Sequence, residues 1–193
     1  FMGVTDAKGG RGVGWIQPTS YFFNTLWSKG SDQDIRNSKF NIIRDLQIDN
    51  PASPAFGQWM VKDGYYKQVD SIRQWFPLIT KFSRVGNFPE ELYQVDATGN
   101  PLMTPFGEHL LINSANSNYK DEYMFRLAET YLLRAEAYIR KGDLANAAAD
   151  INTIRARANA NPIQPSDVDI DFLLDERMRE LYGEELRMLT LCR

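Results

Sequence analysis

Residues 125–158 read FRLAETYLLRAEAYIRKGDLANAAADINTIRARA, and the apolar side chains in and around this run recur at helical spacing. One apolar stripe consists of Met124, Leu127, Ala128, Tyr131, Ala135, Tyr138 and Ile139. A second consists of Leu144, Ala147, Ala148, Ile151 and Ile154. Between them, Gly142 suits the positive φ found just past a helix end, and the carboxylate of Asp143 can cap the next helix. We therefore predict an antiparallel hairpin of two amphipathic helices, 122–141 and 144–158, with Ala135 and Ala147 at the closest approach.

Downstream of this hairpin, the pattern predicts a third helix from about Asp171 to the end of the chain. Its apolar face would consist of Leu174, Met178, Leu181 and Tyr182. A dense charged face would hold Asp175, Glu176, Arg177, Arg179, Glu180 and Glu184. We expect this face to be solvated or salt-bridged, and Asp175 and Arg179, four residues apart, could form an ion pair that contributes little when exposed.

The first part of the chain has a different composition. Eleven of the 13 glycines, seven of the nine prolines and all four tryptophans precede residue 120. Turn signals recur about every ten residues, which predicts short elements and long loops. Within them we expect a short helix over 19–27, with Phe22, Phe23 and Trp27 in the core, and a small hairpin that pairs 93–96 with 102–103.

Composition and motifs exclude several classes of function. With 43% hydrophobic and 24% charged residues, and no apolar run of about 18 residues, the chain is typical of a globular protein. The net charge of −3 argues against nucleic acid as a partner. His109 is the only histidine, so a zinc site with several histidines is excluded, and no nucleophile motif accompanies it. We expect no metal and no cofactor.

Two motifs mimic ligand-binding loops without completing them. The glycine-rich run 9–14 lacks the Lys-Ser/Thr ending of a phosphate-binding loop. Asp167, Asp169 and Asp171 have the spacing of the first three ligands of a calcium loop. However, Phe172 and Met178 stand where that loop needs glycine and glutamate. The aspartates are better explained as carboxylates at the start of a helix.

The order and spacing of several motifs together resemble the closing segment of the SusD/RagB family. The motifs are residues 125–137, Gly142-Asp143-Leu144, Asp150-Ile151-Asn152-x-x-Arg155-x-Arg157-Ala158, Leu174-Asp175-Glu176-Arg177-x-Arg179-Glu180-Leu181 and Glu185-x-Arg187. The close resemblance covers roughly residues 121–193. Upstream it is weaker and rests on Pro18-Thr19, Asp34-x-Arg36 and Lys81-Phe82. The hairpin alone is similar to a tetratricopeptide repeat, because small residues allow its helices to approach closely.

The resemblance implies a mainly α fold, a tetratricopeptide-like α–α superhelix that carries long irregular loops and at most a small hairpin. Residues 1–120 would be the loop-rich, ligand-facing part and residues 121–193 the helical part of an incomplete SusD-like domain. The chain would be a carboxy-terminal fragment without the amino-terminal half. Family members are lipid-anchored at the outer-membrane surface of Bacteroidetes, bind glycans without cleaving them, and partner a SusC-like TonB-dependent transporter.

Glycan recognition needs flat aromatic faces for C–H groups and polar groups for hydroxyls. The first part of the chain supplies both, and the candidate ligand-binding residues are Trp15, Gln17, Trp59, Tyr65, Tyr66 and Trp75. A different class of function, a tetratricopeptide-like protein-interaction module, would use the helices of residues 121–193 instead. A glycoside hydrolase with two catalytic carboxylates is less favoured, because the acids with clear spacing lie on polar helix faces.

Overall fold

The computed structural model describes residues 17–30, 32–48, 53–68, 76–82, 88–103, 109–112, 121 and 123–192. These residues are mainly helical, as predicted, and include one two-stranded sheet. The chain divides into two compact units. One unit contains residues 1–17 and 42–121, and the other, here called the helical unit, contains residues 18–41 and 122–193.

The helical unit contains five α-helices in its described residues. A π-helical turn, Tyr21–Thr25, leads into α1, Leu26–Ser28. The others are α2 (Leu127–Arg140), α3 (Leu144–Arg157), α4 (Ile170–Leu181) and α5 (Arg187–Leu191). Short 3₁₀ helices occur at Ile35–Asn37 and Pro165–Asp167. Phe22 and Trp27 are buried at the first helical segment, which confirms their predicted role in the core, whereas Phe23 is only partly buried.

The predicted hairpin of α2 and α3 is confirmed. Gly142 has a φ of +77°, and the Asp143 side chain accepts a hydrogen bond from the backbone N–H of Asn146 at 3.2 Å. Ala135 of α2 and Ala147 of α3 are both fully buried in one apolar cluster. The other buried members of this cluster are Leu132, Ala148, Ile151, Ile154, Ile163, Val168, Leu173 and Leu181. Small residues on both helices therefore allow their backbones to pack closely.

The start of α2 differs from the prediction. The helix begins at Leu127 rather than at residue 122, because Arg126 has extended backbone angles. Met124 and Leu127, both placed in the predicted apolar stripe, are 85% and 70% exposed. Leu132, which the stripe omitted, is fully buried in their place. Because the backbone before α2 is extended, the side chain of Arg126 can extend to α4.

The charged face of the third helix is salt-bridged, one of the two roles predicted for it, but it is buried rather than solvated. Asp169 caps α4 by accepting from the N–H of Phe172 at 2.7 Å, so an aspartate does mark the helix start as expected. The helix ends at Leu181, before Gly183 with its φ of +72°, and α5 follows as a separate element. Four of its charged side chains are buried: Glu176, Arg177, Arg179 and Glu180. Two residues of the predicted apolar face, Leu174 and Met178, are only partly buried.

The carboxylate of Glu176 is fully buried and binds three guanidinium groups. Arg36 and Arg155 donate to it at 2.8 and 2.9 Å. Arg179, three residues further along α4, donates at 3.1 Å. The predicted pair of Asp175 with Arg179 does not form, because Asp175 instead accepts from the hydroxyl of Tyr21 at 2.7 Å.

Glu180, one turn further along α4, is also buried and binds arginines from three separate segments. Arg36 donates to it at 3.1 Å and Arg126 at 3.0 Å, and Arg157 of α3 donates to it as well. Buried charges are tolerated only when they are paired and hydrogen-bonded. The arginines of distant segments therefore explain why α4 can bury the face that its sequence pattern assigns to solvent.

Arg36 bridges both of these glutamates. It also pairs with Asp34 at 2.7 Å, and only 12% of its side chain is exposed. Burial acts to lower the pKa of Arg36, but hydrogen bonds and charges from Asp34 and Glu176 outweigh burial and raise this pKa above its ordinary value. The guanidinium is therefore charged at any physiological pH.

In its described residues, the other unit consists mostly of turns and short pairings. Strand β1 (Ile42–Ile43) runs antiparallel to β2 (Leu78–Ile79), with Ile42 opposite Ile79. The 3₁₀ helices among these residues are Tyr65–Gln68, Thr80–Phe82 and Glu90–Leu92. The predicted small hairpin is confirmed by the bridge of Val95 with Pro101 and by the N–H of Leu102, which donates to the carbonyl oxygen of Gln94 at 2.8 Å. Two further bridges, Met103 with His109 and Tyr93 with Leu111, were not predicted.

The turn of this hairpin is organised by Asp96. Its carboxylate accepts from the Thr98 hydroxyl at 2.7 Å and from the backbone N–H groups of Thr98 and Asn100 at 2.8 and 3.0 Å. The Thr98 hydroxyl, followed by the backbone N–H of Asn100, lowers the pKa of Asp96 from 3.8 to about 2. These donors favour the ionised form of the carboxyl group.

The Ala135→Leu variant is expected to unfold more readily, because the larger side chain would overpack the contact between α2 and α3. The expected loss in the free energy of unfolding is about 1–3 kcal/mol. Urea denaturation would measure it. Ala137→Leu, on the exposed side of the same helix, is the matched control and should change stability little. Equal stability of the Ala135→Leu variant and the wild type would contradict the close packing.

The Arg36→Ala variant is expected to lose about 3–5 kcal/mol of stability, because the substitution removes the arginine paired with the buried Asp34 and one of the arginines around each of Glu176 and Glu180. Arg36→Lys should recover only part of this, since a single ammonium cannot reproduce the forked contacts of a guanidinium. The control is Arg140→Ala, which breaks the exposed pair with Glu136 and should cost about 0.3–0.5 kcal/mol. Similar losses for Arg36→Ala and Arg140→Ala in denaturant titrations would refute the role given to Arg36.

The carboxyl group of Asp96 is expected to titrate near pH 2 when followed by NMR. Because its pKa is lower in the folded state, its contribution to stability is present above about pH 4 and is lost as the pH falls through about 2. Thr98→Ala should move the midpoint up toward 3.8, whereas Thr98→Ser keeps the hydroxyl and should leave it low. A wild-type midpoint near 3.8 would rule out this turn geometry.

Candidate functional site

Three of the predicted ligand-binding residues, Trp59, Tyr65 and Tyr66, lie together in residues 45–66, here called the aromatic segment. Trp59 and both tyrosines are partly buried. The two tyrosines and Leu46 pack against a small apolar cluster of Ile48, Ala55 and Met60. The tyrosines thus have one side against the protein and retain exposed surface.

Backbone hydrogen bonds join the two ends of the aromatic segment. Gln47 forms an antiparallel bridge with Trp59, and its side-chain amide donates to the carbonyl oxygen of Gly57 at 2.8 Å. Ile48 donates its N–H to Gln58 at 2.8 Å. Gly57 has a φ of +84°, a left-handed conformation that favours glycine. This turn returns the chain so that Trp59 lies opposite Gln47.

Two aspartates bind backbone N–H groups around Trp59. Asp63 accepts from the N–H of Trp59 at 2.7 Å. The two carboxylate oxygens of Asp45 accept from the N–H groups of Val61 and Lys62 at 2.7 and 3.0 Å. A carboxylate that accepts backbone N–H groups forms stronger hydrogen bonds than a neutral acceptor. The backbone between Trp59 and Tyr65 is therefore held at several points.

The aromatic segment combines ring faces with polar groups. Trp and Tyr side chains can pack against apolar C–H groups while their polar tips bond hydroxyls. The ammonium of Lys67 lies 5.8 Å from the centre of the Tyr66 ring, at the distance of a cation–π contact. The arrangement suits a polar ligand with apolar faces rather than a small ion.

Of the remaining three predicted residues, the structure describes Gln17. Gln17 is exposed and lies outside residues 45–66. Trp15 and Trp75 lie outside the described residues. Sequence reasoning missed Phe56, an aromatic in the same segment whose side chain is 58% exposed. It also missed Asp45 and Asp63, since carboxylates that bond backbone N–H groups carry no distinctive spacing.

His109 and the buried carboxylates, which were considered for catalysis, contact other side chains of the protein. The ring of His109 lies 4.3 Å from that of Tyr93, centre to centre. A glycosidase needs a carboxyl group that retains its proton. By contrast, the buried carboxylates among the described residues each bind an arginine, and they are Asp34, Asp150, Glu176 and Glu180.

In the part of the chain that the structure describes, His, Cys, Asp and Glu side chains form no group of three or more that could hold a metal ion. The helices of this part are all too short or too polar to cross a bilayer.

Comparison with known proteins identifies the family. The model of the SusD family matches residues 5–193, which includes the first part of the chain, where the motifs were weak. Starch-binding protein SusD of Bacteroides thetaiotaomicron is 46% identical over 70 residues, which are 36% of this chain and 12% of that protein. The match therefore spans about one eighth of that relative. No solved structure matches the chain. Because the family model matches nearly every residue, the chain belongs to the SusD family.

Proposed function

We propose that this protein binds a glycan through the aromatic segment and does not cleave it. The main support for this proposal is that Trp59, Tyr65 and Tyr66 lie on one segment whose backbone is held by hydrogen bonds and packing, in a chain of the SusD family. The relative named a starch-binding protein supports a polysaccharide as the ligand class. Trp15, Gln17 and Trp75 complete the proposed set of ligand-binding residues.

The proposal extends to the cellular role of the protein. We propose that it is anchored by a lipid at the outer surface of the outer membrane and passes its glycan to a SusC-like TonB-dependent transporter. Support comes from membership of the SusD family and from the Bacteroides source of the relative. The bound glycan would be handed over intact, because the described buried carboxylates bind arginines instead of being free for acid–base work.

The expected affinity is modest. Partly exposed rings form a shallow, wet site, in which a sugar keeps much of its hydration. Dissociation constants between micromolar and millimolar correspond to about −8 to −4 kcal/mol. A single ring contact contributes about 0.5–1.5 kcal/mol beyond the area it buries, so the loss of one ring is expected to weaken binding about tenfold or less.

The Trp59→Ala variant is expected to bind polysaccharide about three- to tenfold more weakly than the wild type, because it removes the largest ring of the aromatic segment. Tyr65→Ala and Tyr66→Ala should also weaken binding. Affinity electrophoresis and calorimetry against amylopectin, dextran, xyloglucan and inulin would measure the effect. Thermal melting would separate lost binding from lost folding.

The control for this series is Phe40→Ala, which removes an aromatic that is 75% exposed in the helical unit. It should leave the dissociation constant unchanged. The proposal is overturned if a polysaccharide binds and no substitution in the aromatic segment weakens it. Release of reducing ends in proportion to purified protein would overturn the non-catalytic part. Binding lost only through substitutions on α2 and α3 would favour the tetratricopeptide-like interaction module.

A further inference from the structure

Asp45 holds the middle of the turn between Trp59 and Tyr65. Asp45 binds the consecutive N–H groups of Val61 and Lys62 with its two oxygens, at 2.7 and 3.0 Å. These two N–H groups lie midway between the tryptophan and the tyrosine pair. Their donors point to one side of the backbone, where a carboxylate can accept both. Asp45 thus sets the path of the chain between the two groups of rings.

Other contacts hold the ends of this turn without Asp45. The fully buried Met60 donates its N–H to Leu46 at 2.9 Å, and Tyr66 donates to Met60 at 2.9 Å. Asp63 separately holds the N–H of Trp59. Removal of Asp45 should therefore leave the apolar cluster intact and release mainly residues 61 and 62. The rings would remain attached to the protein while their relative placement became less defined.

Spacing between ring platforms matters for a chain-like ligand, because successive sugar rings must meet both platforms at once. A site that is held in its binding geometry before the ligand arrives loses less conformational freedom on binding. We propose that Asp45 is a positioning residue of the glycan site, one that fixes the separation between Trp59 and the Tyr65–Tyr66 pair through the Val61 and Lys62 amides. This inference rests on the proposed function of the aromatic segment.

The test uses Asp45→Ala and Asp45→Asn with two readouts. The first is hydrogen exchange of the Val61 and Lys62 amides, which should accelerate at least tenfold in Asp45→Ala while the amides of Met60 and Tyr66 are unchanged. The second is the dissociation constant for amylopectin and the other panel polysaccharides, which should rise about three- to tenfold at an unchanged melting temperature. Asp45→Asn retains one oxygen acceptor and should lie between Asp45→Ala and the wild type in both readouts.

Asp96→Ala is the matched control, because Asp96 also binds two backbone N–H groups in a turn but lies in the hairpin outside residues 45–66. It should not change polysaccharide affinity. The positioning role is overturned if the Val61 and Lys62 amides of the wild type exchange hydrogen without protection. It is also overturned if Asp45→Ala and the wild type bind polysaccharide equally. If the wild type binds no polysaccharide, the proposed function fails, and the amide exchange alone still reports whether Asp45 holds the turn.

Discussion

The helical unit is organised around two glutamates of α4 that are buried as ions. Glu176 and Glu180 have essentially no exposed side-chain surface, and a buried carboxylate is strongly unfavourable unless cations and hydrogen bonds surround it. Among the described residues, five arginines supply these partners, namely Arg36, Arg126, Arg155, Arg157 and Arg179. Four of them lie outside α4, in the segment after α1, in the segment before α2 and on α3, so this face of α4 can be buried only when these segments have assembled.

This requirement gives the helical unit a specificity that its apolar core does not provide. The core of α2, α3 and α4 is formed by Ala, Leu, Ile and Val side chains, which tolerate many similar packings. The ion pairs do not, because each guanidinium must meet its carboxylate in one orientation. Arg36 extends the constraint to the segment after α1, since it joins Asp34 to both glutamates. We infer that the charges select one arrangement among those that the apolar contacts allow.

The aromatic segment relies on the same principle on a smaller scale. Among its described residues, the buried cluster consists of Ile48, Ala55 and Met60, which is too little apolar surface to define the path of a loop of this length. Carboxylates that accept backbone N–H groups add to it, at the partly buried Asp45 and the exposed Asp63. In both units, acidic side chains thus join segments of the chain, from buried positions in the helical unit and from more exposed ones in the aromatic segment. This explains why a chain with 25 acidic residues places so many of them in defined contacts.

Local features of the sequence were sufficient to predict several elements of secondary structure. The hairpin of α2 and α3 followed from helical periodicity and from Gly142, and Phe22 and Trp27 were correctly placed in the core, because such signals depend on neighbours within a few residues. Composition was also sufficient to suggest Trp59, Tyr65 and Tyr66 as ligand-binding candidates, although their role stays a prediction.

The burial of Glu176 and Glu180 could not be predicted from periodicity, which assigns charged positions to solvent. Arg36 lies 140 residues from Glu176 in the chain, and only folding brings the two side chains to 2.8 Å. The same is true of Asp45, whose bonds to residues 61 and 62 form only after the chain has turned back on itself.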